Sequence, residues 1–317
     1  MRNAAYGIVV AIAAAGYFGY TKFGGKLGLG GAGGGGGSGV TAKLQAYIEC
    51  TNRFSNRAMD SRSRYLSWAD AEKGPAGSNN PMGLYTLYDP KQCLEGIAAS
   101  KDIDPDMPDL EKAGDAYGVA LGKLVPLLEE ANDYYEQKNF KDDKFAKGTE
   151  LHPKLMAAWD EFDKANDALQ AQVRVLNRAE REKSLAERES KGKDLTTHLD
   201  RAMLEGETLM NFMEDPDKID VEKMGAQLGV YENAVNALGA YASSHSGEQP
   251  TAFSFMLDGT KKYLAAAKEL HRRARDKVAY SSSDKMHLGG SSEWMVSGSP
   301  GKMLHEYNSM VDAYNRL

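Results

Sequence analysis

Apolar side chains recur every three or four residues along most of the chain after residue 40. The clearest series runs from Leu155 to Leu176, where spacings of four and three alternate without interruption. This repeat is typical of one face of an α-helix. A helix must bury such a face against another element, and short connections favour antiparallel neighbours. The pattern therefore predicts an all-α fold, an elongated up-and-down helical bundle.

Breaks in this periodicity and the positions of proline give approximate helix bounds. The predicted helices cover about residues 41–71, 90–100, 110–137, 149–193, 194–213, 221–242, 253–278 and 300–314. Asn166 stands within an apolar series, where a polar residue can fix the register. From Arg178 to Lys193 the series fades, so we expect a helix tip that projects past its neighbours. Asp194 is expected to cap the next helix.

Residues 4–20 form an uncharged apolar run near the N-terminus. A helix of this length is about 26 Å long and just crosses a bilayer. Tyr17, Phe18 and Tyr20 cluster at one end, as is typical of a membrane interface. We expect residues 1–23 to be a single N-terminal transmembrane helix. A cleaved signal peptide, which combines a basic start with a short apolar stretch, and a buried helix are the alternatives.

A glycine-rich tract follows this run. Residues 24–39 contain 11 glycines in 16 residues, and a flexible chain of this length has a root-mean-square span of roughly 20–24 Å. The sequence thus predicts three parts. They are a membrane anchor or signal segment at 1–23, a flexible tether at 24–40 and a helical domain at 41–317.

The charge of the helical part is strongly acidic. Only three of the 39 basic residues, Arg2, Lys22 and Lys26, precede residue 43, whereas all 45 acidic residues follow it, which leaves 36 basic residues and a net charge of −9. Nucleic-acid binding depends on neutralising phosphates with basic side chains. The charge therefore argues against nucleic acid as a partner and against broad docking on an anionic lipid surface.

The chain has two cysteines, Cys50 and Cys93. In an extracytoplasmic protein such a pair is expected to form a disulfide, and two buried free thiols are the alternative.

Two sequence features could form a binding site. Arg53, Arg57 and Arg64 crowd the first helix, with Arg62 beside them, and Tyr85 and Tyr88 lie in an unusually aromatic loop. The arginines are expected to form structural ion pairs, with Asp60 among their partners, or else to bind an anionic ligand. The tyrosines are expected to pack on the core or to form an exposed recognition surface.

No motif in the sequence points to catalysis or to a metal. The six histidines are scattered, and none lies three or four residues from another or three residues after a glutamate. We interpret them as surface or capping residues. Asp142 and Asp143 fit a solvated surface, and Ser299 fits a helix N-cap rather than a nucleophile. We therefore predict no catalytic residue, no metal ligand and no cofactor.

Several stretches resemble one bacterial family. They are Leu44–Arg53, Tyr65–Trp68, Gly83–Cys93, Lys141–Gly148, Leu151–Trp159 and the Tyr-Asn pairs at Tyr307 and Tyr314. Together they resemble the YiiG-like family of proposed lipoproteins of Gram-negative bacteria, from about residue 41 to the end. The resemblance implies a helical extracytoplasmic domain and transfers no functional residue. No cysteine precedes residue 50, so the chain lacks the family's lipid-attachment cysteine and carries an apolar run and tether instead.

We therefore expect a membrane-tethered extracytoplasmic helical protein, a non-catalytic binding or scaffold module of the cell envelope. Its expected partners are the membrane, through the N-terminal helix, and an envelope protein. The expected location is the bacterial inner membrane with the helical domain in the periplasm, or the periplasm itself after signal cleavage. The alternative function is a small-ligand or metal-binding bundle, with or without enzymatic activity.

Overall fold

A computed structural model describes residues 39–78, 80–213, 218–290 and 292–317. Within these ranges the regular structure consists of α- and 3-10 helices with no β-strand, which confirms the all-α class. The predicted anchor and all but the last two residues of the predicted tether, 1–38, lie outside the described residues. No helix of the described part combines the length and the apolar character needed to cross a membrane.

The described residues divide into two compact units, one ending at Glu180 and the other beginning at Arg181. The helices of the first unit are α1 (Gly39–Leu66), α2 (Lys91–Ser100), α3 (Pro108–Glu136), the single turn α4 (Phe140–Asp143) and most of α5 (Ala146–Lys191). Those of the second unit are the end of α5, α6 (Leu195–Met210), α7 (Val221–Ser244), α8 (Phe253–Asp276), the single turn α9 (Ser282–Lys285) and α10 (Pro300–Asn315).

The first unit buries the predicted apolar faces of α1, α3 and α5 against one another. Its core includes the fully buried rings of Phe54, Tyr117 and Phe162. Asn166 is buried beside them, and its Oδ1 accepts hydrogen bonds from Ser55 Oγ at 2.7 Å and from Gln170 Nε2 at 2.9 Å. The polar position predicted within the apolar series thus links α5 to α1.

Helix α1 ends at Leu66 rather than at Ala71 as the periodicity predicts. The hydroxyl of Ser67 donates to Arg64 O at 2.7 Å, and Asp70 Oδ1 accepts from the backbone N–H groups two and three residues later. Short polar side chains of this kind compete with the helix for backbone partners. They replace the last predicted turn with a tight polar turn.

Two predicted caps are present. Asp194 forms a reciprocal capping box with Thr197 at the start of α6. Ser299 Oγ accepts from the backbone N–H of Lys302 at 3.0 Å at the start of α10, which confirms its interpretation as a helix N-cap.

The end of α5 does not project past its neighbours, so that prediction is wrong. Leu185 is only 2% exposed, and long charged side chains join this part of α5 to α6. The ion pairs are Arg181–Glu207, Arg188–Asp200 at 2.6 Å and Glu189–Arg201 at 2.8 Å. Paired charges therefore replace an apolar seam here, which is why the periodicity fades while the helix still packs.

Candidate functional site

Residues 81–90 form a non-helical segment that runs along α1 in the opposite direction to it. Three hydrogen bonds establish this direction: Arg64 Nε donates to Gly83 O at 2.5 Å, Arg57 Nε donates to Thr86 O at 2.9 Å, and Arg53 Nη1 donates to Gln92 Oε1 at 3.0 Å. From Arg64 to Arg53 the residue numbers decrease along α1, whereas the residue numbers of their partners increase from 83 to 92. Two arginines of α1 therefore fasten the segment itself, and Arg53 fastens the start of α2, which follows it.

The apolar residues of this segment fall into two groups. Leu84 and Leu87 are buried in the first unit, whereas Tyr85 and Tyr88 are 36% and 61% exposed. The two groups repeat every three residues, so the leucines form one face of the segment and the tyrosines another. The expected packing of the tyrosines on the core is therefore wrong and the exposed alternative holds, while Leu84 and Leu87 pack on the core instead.

Each exposed tyrosine lies against an arginine of α1. The guanidinium carbon of Arg53 is 5.3 Å from the ring centroid of Tyr88. Tyr85 has two such neighbours, Arg57 at 4.9 Å and Arg64 at 4.8 Å. These distances are within the range of cation–π contacts, which contribute about 0.5–1 kcal/mol at exposed sites. We call these five residues the arginine–tyrosine surface.

The arginines of this surface do not form the ion pairs expected from the sequence. Among the described residues, no carboxylate oxygen lies within 4.0 Å of a guanidinium nitrogen of Arg53, Arg57 or Arg64. Arg62, by contrast, binds two carboxylates, Asp160 at 2.7 Å and Asp163. The ion-pair expectation therefore holds for Arg62 and is wrong for the other three, including the predicted pairing with Asp60.

The unpaired arginines keep hydrogen-bond donors for a further partner. A guanidinium has five N–H groups, and the hydrogen bond of Arg57 to Thr86 uses only Nε. Neither terminal nitrogen of Arg57 forms a hydrogen bond with any described residue. In Arg57 the Nε bond holds the side chain in place while the terminal N–H groups stay free, an arrangement suited to a bidentate contact with a carboxylate or phosphate. Arg53 and Arg64 each use one terminal nitrogen, Arg53 Nη1 towards Gln92 and Arg64 Nη1 towards the hydroxyl of Tyr85 at 3.4 Å.

Both ends of the segment are fixed to the first unit. At the Tyr88 end, Cys50 and Cys93 form a disulfide with a Cα–Cα distance of 5.1 Å, which confirms the predicted pairing over two free thiols. At the other end, Gly83 lies against the side chain of Glu136, and a Cβ at this position would clash with that carboxylate. Sequence reasoning misses both Gly83 and Gln92, because their roles depend on the path of the segment.

One histidine has a different setting from the one predicted. His152 is buried, with its Nε2 3.2 Å from Ala71 O and its Nδ1 2.9 Å from the hydroxyl of Tyr65. A carbonyl can only accept, so Nε2 donates to Ala71 O, and in a neutral ring Nδ1 then accepts from the hydroxyl of Tyr65. His152 is thus a buried link between the core and the turn after α1 rather than a surface residue. No cluster of three or more His, Cys, Asp or Glu residues suited to a metal ion occurs in the described ranges.

Comparisons with known proteins identify relatives over nearly the whole helical part. Residues 39–316 match the family described as "Protein of unknown function (DUF3829)". The chain is also 30% identical over 283 residues to a protein of Escherichia coli (strain K12) named "Uncharacterized protein YiiG", and the aligned region covers 87% of this chain and 78% of that relative. No solved structure matches the chain.

Proposed function

Because the chain belongs to the DUF3829 family, a membership that by itself assigns no activity, we propose its function from the geometry of its own residues. It is a non-catalytic helical binding module of the cell envelope, held at the membrane by an N-terminal helix. Its contact surface for an envelope partner is the arginine–tyrosine surface of the first unit.

The observation that carries this proposal is the absence of carboxylate partners for Arg53, Arg57 and Arg64 within the described residues. Acidic residues outnumber basic ones by 45 to 39 in this chain, so a surface arginine has many candidate ion-pair partners. Three unpaired arginines beside two exposed tyrosines therefore form an unusual local concentration of positive charge. Arginine and tyrosine are also the residue types enriched at binding hot spots.

The surface is also held rigid before any partner binds. Two arginine hydrogen bonds to the segment, the Arg53–Gln92 bond just beyond it and the Cys50–Cys93 disulfide restrict the backbone that carries Tyr85 and Tyr88. A rigid surface loses less conformational entropy on association, which favours affinity. The same contacts stabilise the fold, and in Arg57 the stabilising hydrogen bond uses Nε while the terminal nitrogens stay available for binding.

Three features support the proposed location. The apolar run at residues 4–20 is long enough for a transmembrane helix, and the glycine-rich tether after it lets the first unit reach a partner close to the membrane. A disulfide is favoured in oxidising compartments such as the periplasm. We propose that the helical domain is periplasmic and that residues 1–23 stay attached as an inner-membrane anchor.

Membrane attachment is tested by alkaline carbonate extraction of envelopes. We expect the full chain to remain with the membrane pellet, and a variant that carries a cleavable signal peptide in place of residues 1–23 to be released. Recovery of the full chain in the soluble fraction would contradict the anchor and favour signal cleavage.

The contact surface is tested by photo-crosslinking in living cells. A photoreactive amino acid replaces Tyr88, and a control replaces Val119, which is 56% exposed on α3 of the same unit. We expect position 88 to crosslink to a discrete envelope protein, and the Arg57→Gln substitution to reduce this product. Equal products at both positions, or no effect of Arg57→Gln, would reject the surface.

The alternative, a small-ligand bundle, has one observation in its favour. The indole N–H groups of Trp68 and Trp159 are buried, with no hydrogen-bond partner among the described residues. A bound molecule with acceptor oxygens would satisfy them. Native mass spectrometry of the purified full chain tests this, because a stoichiometric extra mass would support a bound ligand and the bare chain mass would argue against it.

A further inference from the structure

Building on the proposed function, we infer that the arginine–tyrosine surface binds an extended, acidic segment of a partner polypeptide. The surface is a narrow row along α1 rather than a pocket. Arg53, Arg57 and Arg64 mark its length, and the rings of Tyr85 and Tyr88 lie beside them. Its charge and its shape each restrict what can bind.

The spacing of the arginines matches an extended chain. A helix rises 1.5 Å per residue, so Arg53 and Arg57 are about 6 Å apart along α1, and Arg64 lies about 10.5 Å further on. In an extended polypeptide, side chains two residues apart are about 6.6 Å apart and project from the same face. Two acidic residues in an alternating pattern can therefore contact Arg53 and Arg57 together. About five to six extended residues reach from Arg53 to Arg64.

The free donors favour carboxylates on such a chain. The terminal nitrogens of Arg57 make no hydrogen bond within the described residues, and planar guanidinium groups bind carboxylates in a bidentate manner. The tyrosine rings provide apolar contact area beside the charged row. Charge and ring contacts together suit a peptide whose acidic residues alternate with small ones.

The surroundings of the row argue against a lipid surface. Asp60 lies between Arg57 and Arg64 in sequence, Asp89 follows Tyr88, and both carboxylates are exposed. A planar anionic membrane would face these carboxylates as well as the arginines, and the helical part as a whole carries a net charge of −9. An extended peptide is narrow enough to contact the arginines alone. The same argument disfavours nucleic acid, whose phosphates surround a wide cylinder.

The test is fluorescence anisotropy with the purified full chain in mild detergent. The probe is a labelled eight-residue peptide of alternating Glu and Ser, and the control probe has Gln in place of Glu. We expect the Glu peptide alone to bind, with an affinity that falls as salt is raised. Arg57→Gln is expected to weaken binding about two- to fivefold, the loss of roughly one exposed ion pair. Arg272→Gln, which removes an exposed arginine paired with Glu269 in the second unit, is expected to leave binding unchanged.

A second variant keeps every arginine and protects the fold. Gln92→Glu places a carboxylate where Arg53 Nη1 now meets an amide oxygen at 3.0 Å. The new internal ion pair occupies Arg53, so peptide binding is expected to weaken severalfold while the thermal unfolding midpoint does not fall. Weaker binding by this variant cannot be attributed to unfolding.

Three results would overturn the inference. The Glu and Gln peptides could bind alike, neither peptide could bind, or phosphatidylglycerol vesicles could bind the chain in an Arg57-dependent manner. In each case a crosslink from position 88 to an envelope protein would leave the proposed function intact and reject only the acidic polypeptide ligand. Loss of that crosslink as well would reject the proposed function itself. Binding of the Glu peptide that falls in both Arg57→Gln and Gln92→Glu supports the inference.

Discussion

Arg57 shows at the scale of a single residue how this surface combines stability with recognition. Its Nε donates to Thr86 O at 2.9 Å, its guanidinium lies 4.9 Å from the ring centroid of Tyr85, and its terminal nitrogens remain free of described partners. One side chain thus holds the segment in place and presents positive charge. At the two ends of the row, Arg53 and Arg64 also lie against tyrosine rings, but each uses a terminal nitrogen for a hydrogen bond, to Gln92 and to Tyr85.

The members of the surface could be recognised from the sequence, but their contacts could not. Arg53, Arg57, Tyr85 and Tyr88 stand out because arginine clusters and aromatic loops are uncommon. Their meeting depends on segment 81–90 turning back along α1, which no local pattern encodes. Two spacings are the sequence signal for this contact. Arg53 and Arg57 are four residues apart in a helix, and Tyr85 and Tyr88 are three residues apart in a loop.

The Cys50–Cys93 disulfide is expected to stabilise the chain substantially. The two cysteines are 43 residues apart, and a closed loop of this size is worth about 4 kcal/mol in the chain-entropy model. We expect the Cys50→Ala/Cys93→Ala double variant to lose about 2–4 kcal/mol in the free energy of unfolding by urea denaturation. Reduction of the unmodified chain should give the same loss. A change below about 0.5 kcal/mol would show that the bridge does not constrain the fold.

The buried carboxyl of Asp163 is expected to make the free energy of unfolding depend on pH, and the direction of this dependence follows from its pKa. Burial raises the pKa of Asp163 to about 6, although the neighbouring Arg62 opposes the shift. The unfolded pKa is near 3.8, so the native state binds this proton more tightly than the unfolded state. The stabilising contribution of the group is therefore complete below about pH 3.8 and is lost as the pH rises through about 6.

Comparison of the unmodified chain with Asp163→Asn isolates this contribution. From pH 7 to pH 4 the difference in unfolding free energy is expected to shift by about 2 kcal/mol in favour of the unmodified chain. Denaturant titrations at both pH values measure it. A difference that is independent of pH, or one that shifts towards the variant at pH 4, would show that the Arg62 contact dominates.

At the scale of the elements, the three-and-four periodicity predicts the helices well and their ends poorly. The interiors of α1, α3, α5 and the helices of the second unit follow from apolar faces that must be buried. Helix ends depend on local competition for backbone partners, as at Ser67 and Asp70 beyond α1. Periodicity gives a wrong prediction for the end of α5, because ion pairs with α6 replace the apolar contacts that periodicity detects.

The buried Asn166 is a polar residue on the otherwise apolar face of α5, and its substitution measures what its hydrogen bonds contribute to stability. By periodicity alone, leucine would be the better residue at this position. Replacing Asn166 with Leu leaves the buried donors of Ser55 and Gln170 without their acceptor, and each unsatisfied buried group costs about 1–3 kcal/mol. We expect Asn166→Leu to lower the unfolding free energy by about 2 kcal/mol in denaturant titrations.

A double-mutant cycle separates this cause from simple overpacking. In the Asn166→Leu background, Ser55→Ala is expected to cost less than it does in the unmodified chain, because the Ser55–Asn166 hydrogen bond is already lost and only the contact of Ser55 with the Tyr117 hydroxyl at 3.2 Å remains. Strictly additive losses would show that the hydrogen bonds carry no coupling and that the polar position has another origin.

At the scale of the whole molecule, the described chain consists of two helical units divided at residues 180 and 181. The sequence does not reveal this division, because α5 runs from Ala146 to Lys191 without a linker or a proline near the boundary. The arginine–tyrosine surface lies entirely in the first unit. Its positive charge contrasts with the net charge of −9 on the helical part, and this contrast is the basis for proposing a local contact rather than broad electrostatic docking.

The most direct measurement is hydroxyl-radical footprinting of Tyr88 in intact cells and in the purified full chain. Tyr88 is 61% exposed in the structure, and Phe255, at 73% exposed on α8 of the second unit, is the reference. We expect the modification of Tyr88 relative to Phe255 to fall severalfold in cells, where the partner is present, and to recover in the purified protein and in Arg57→Gln cells. Equal relative modification of Tyr88 in cells and in the purified chain would contradict a role for the arginine–tyrosine surface as the binding site.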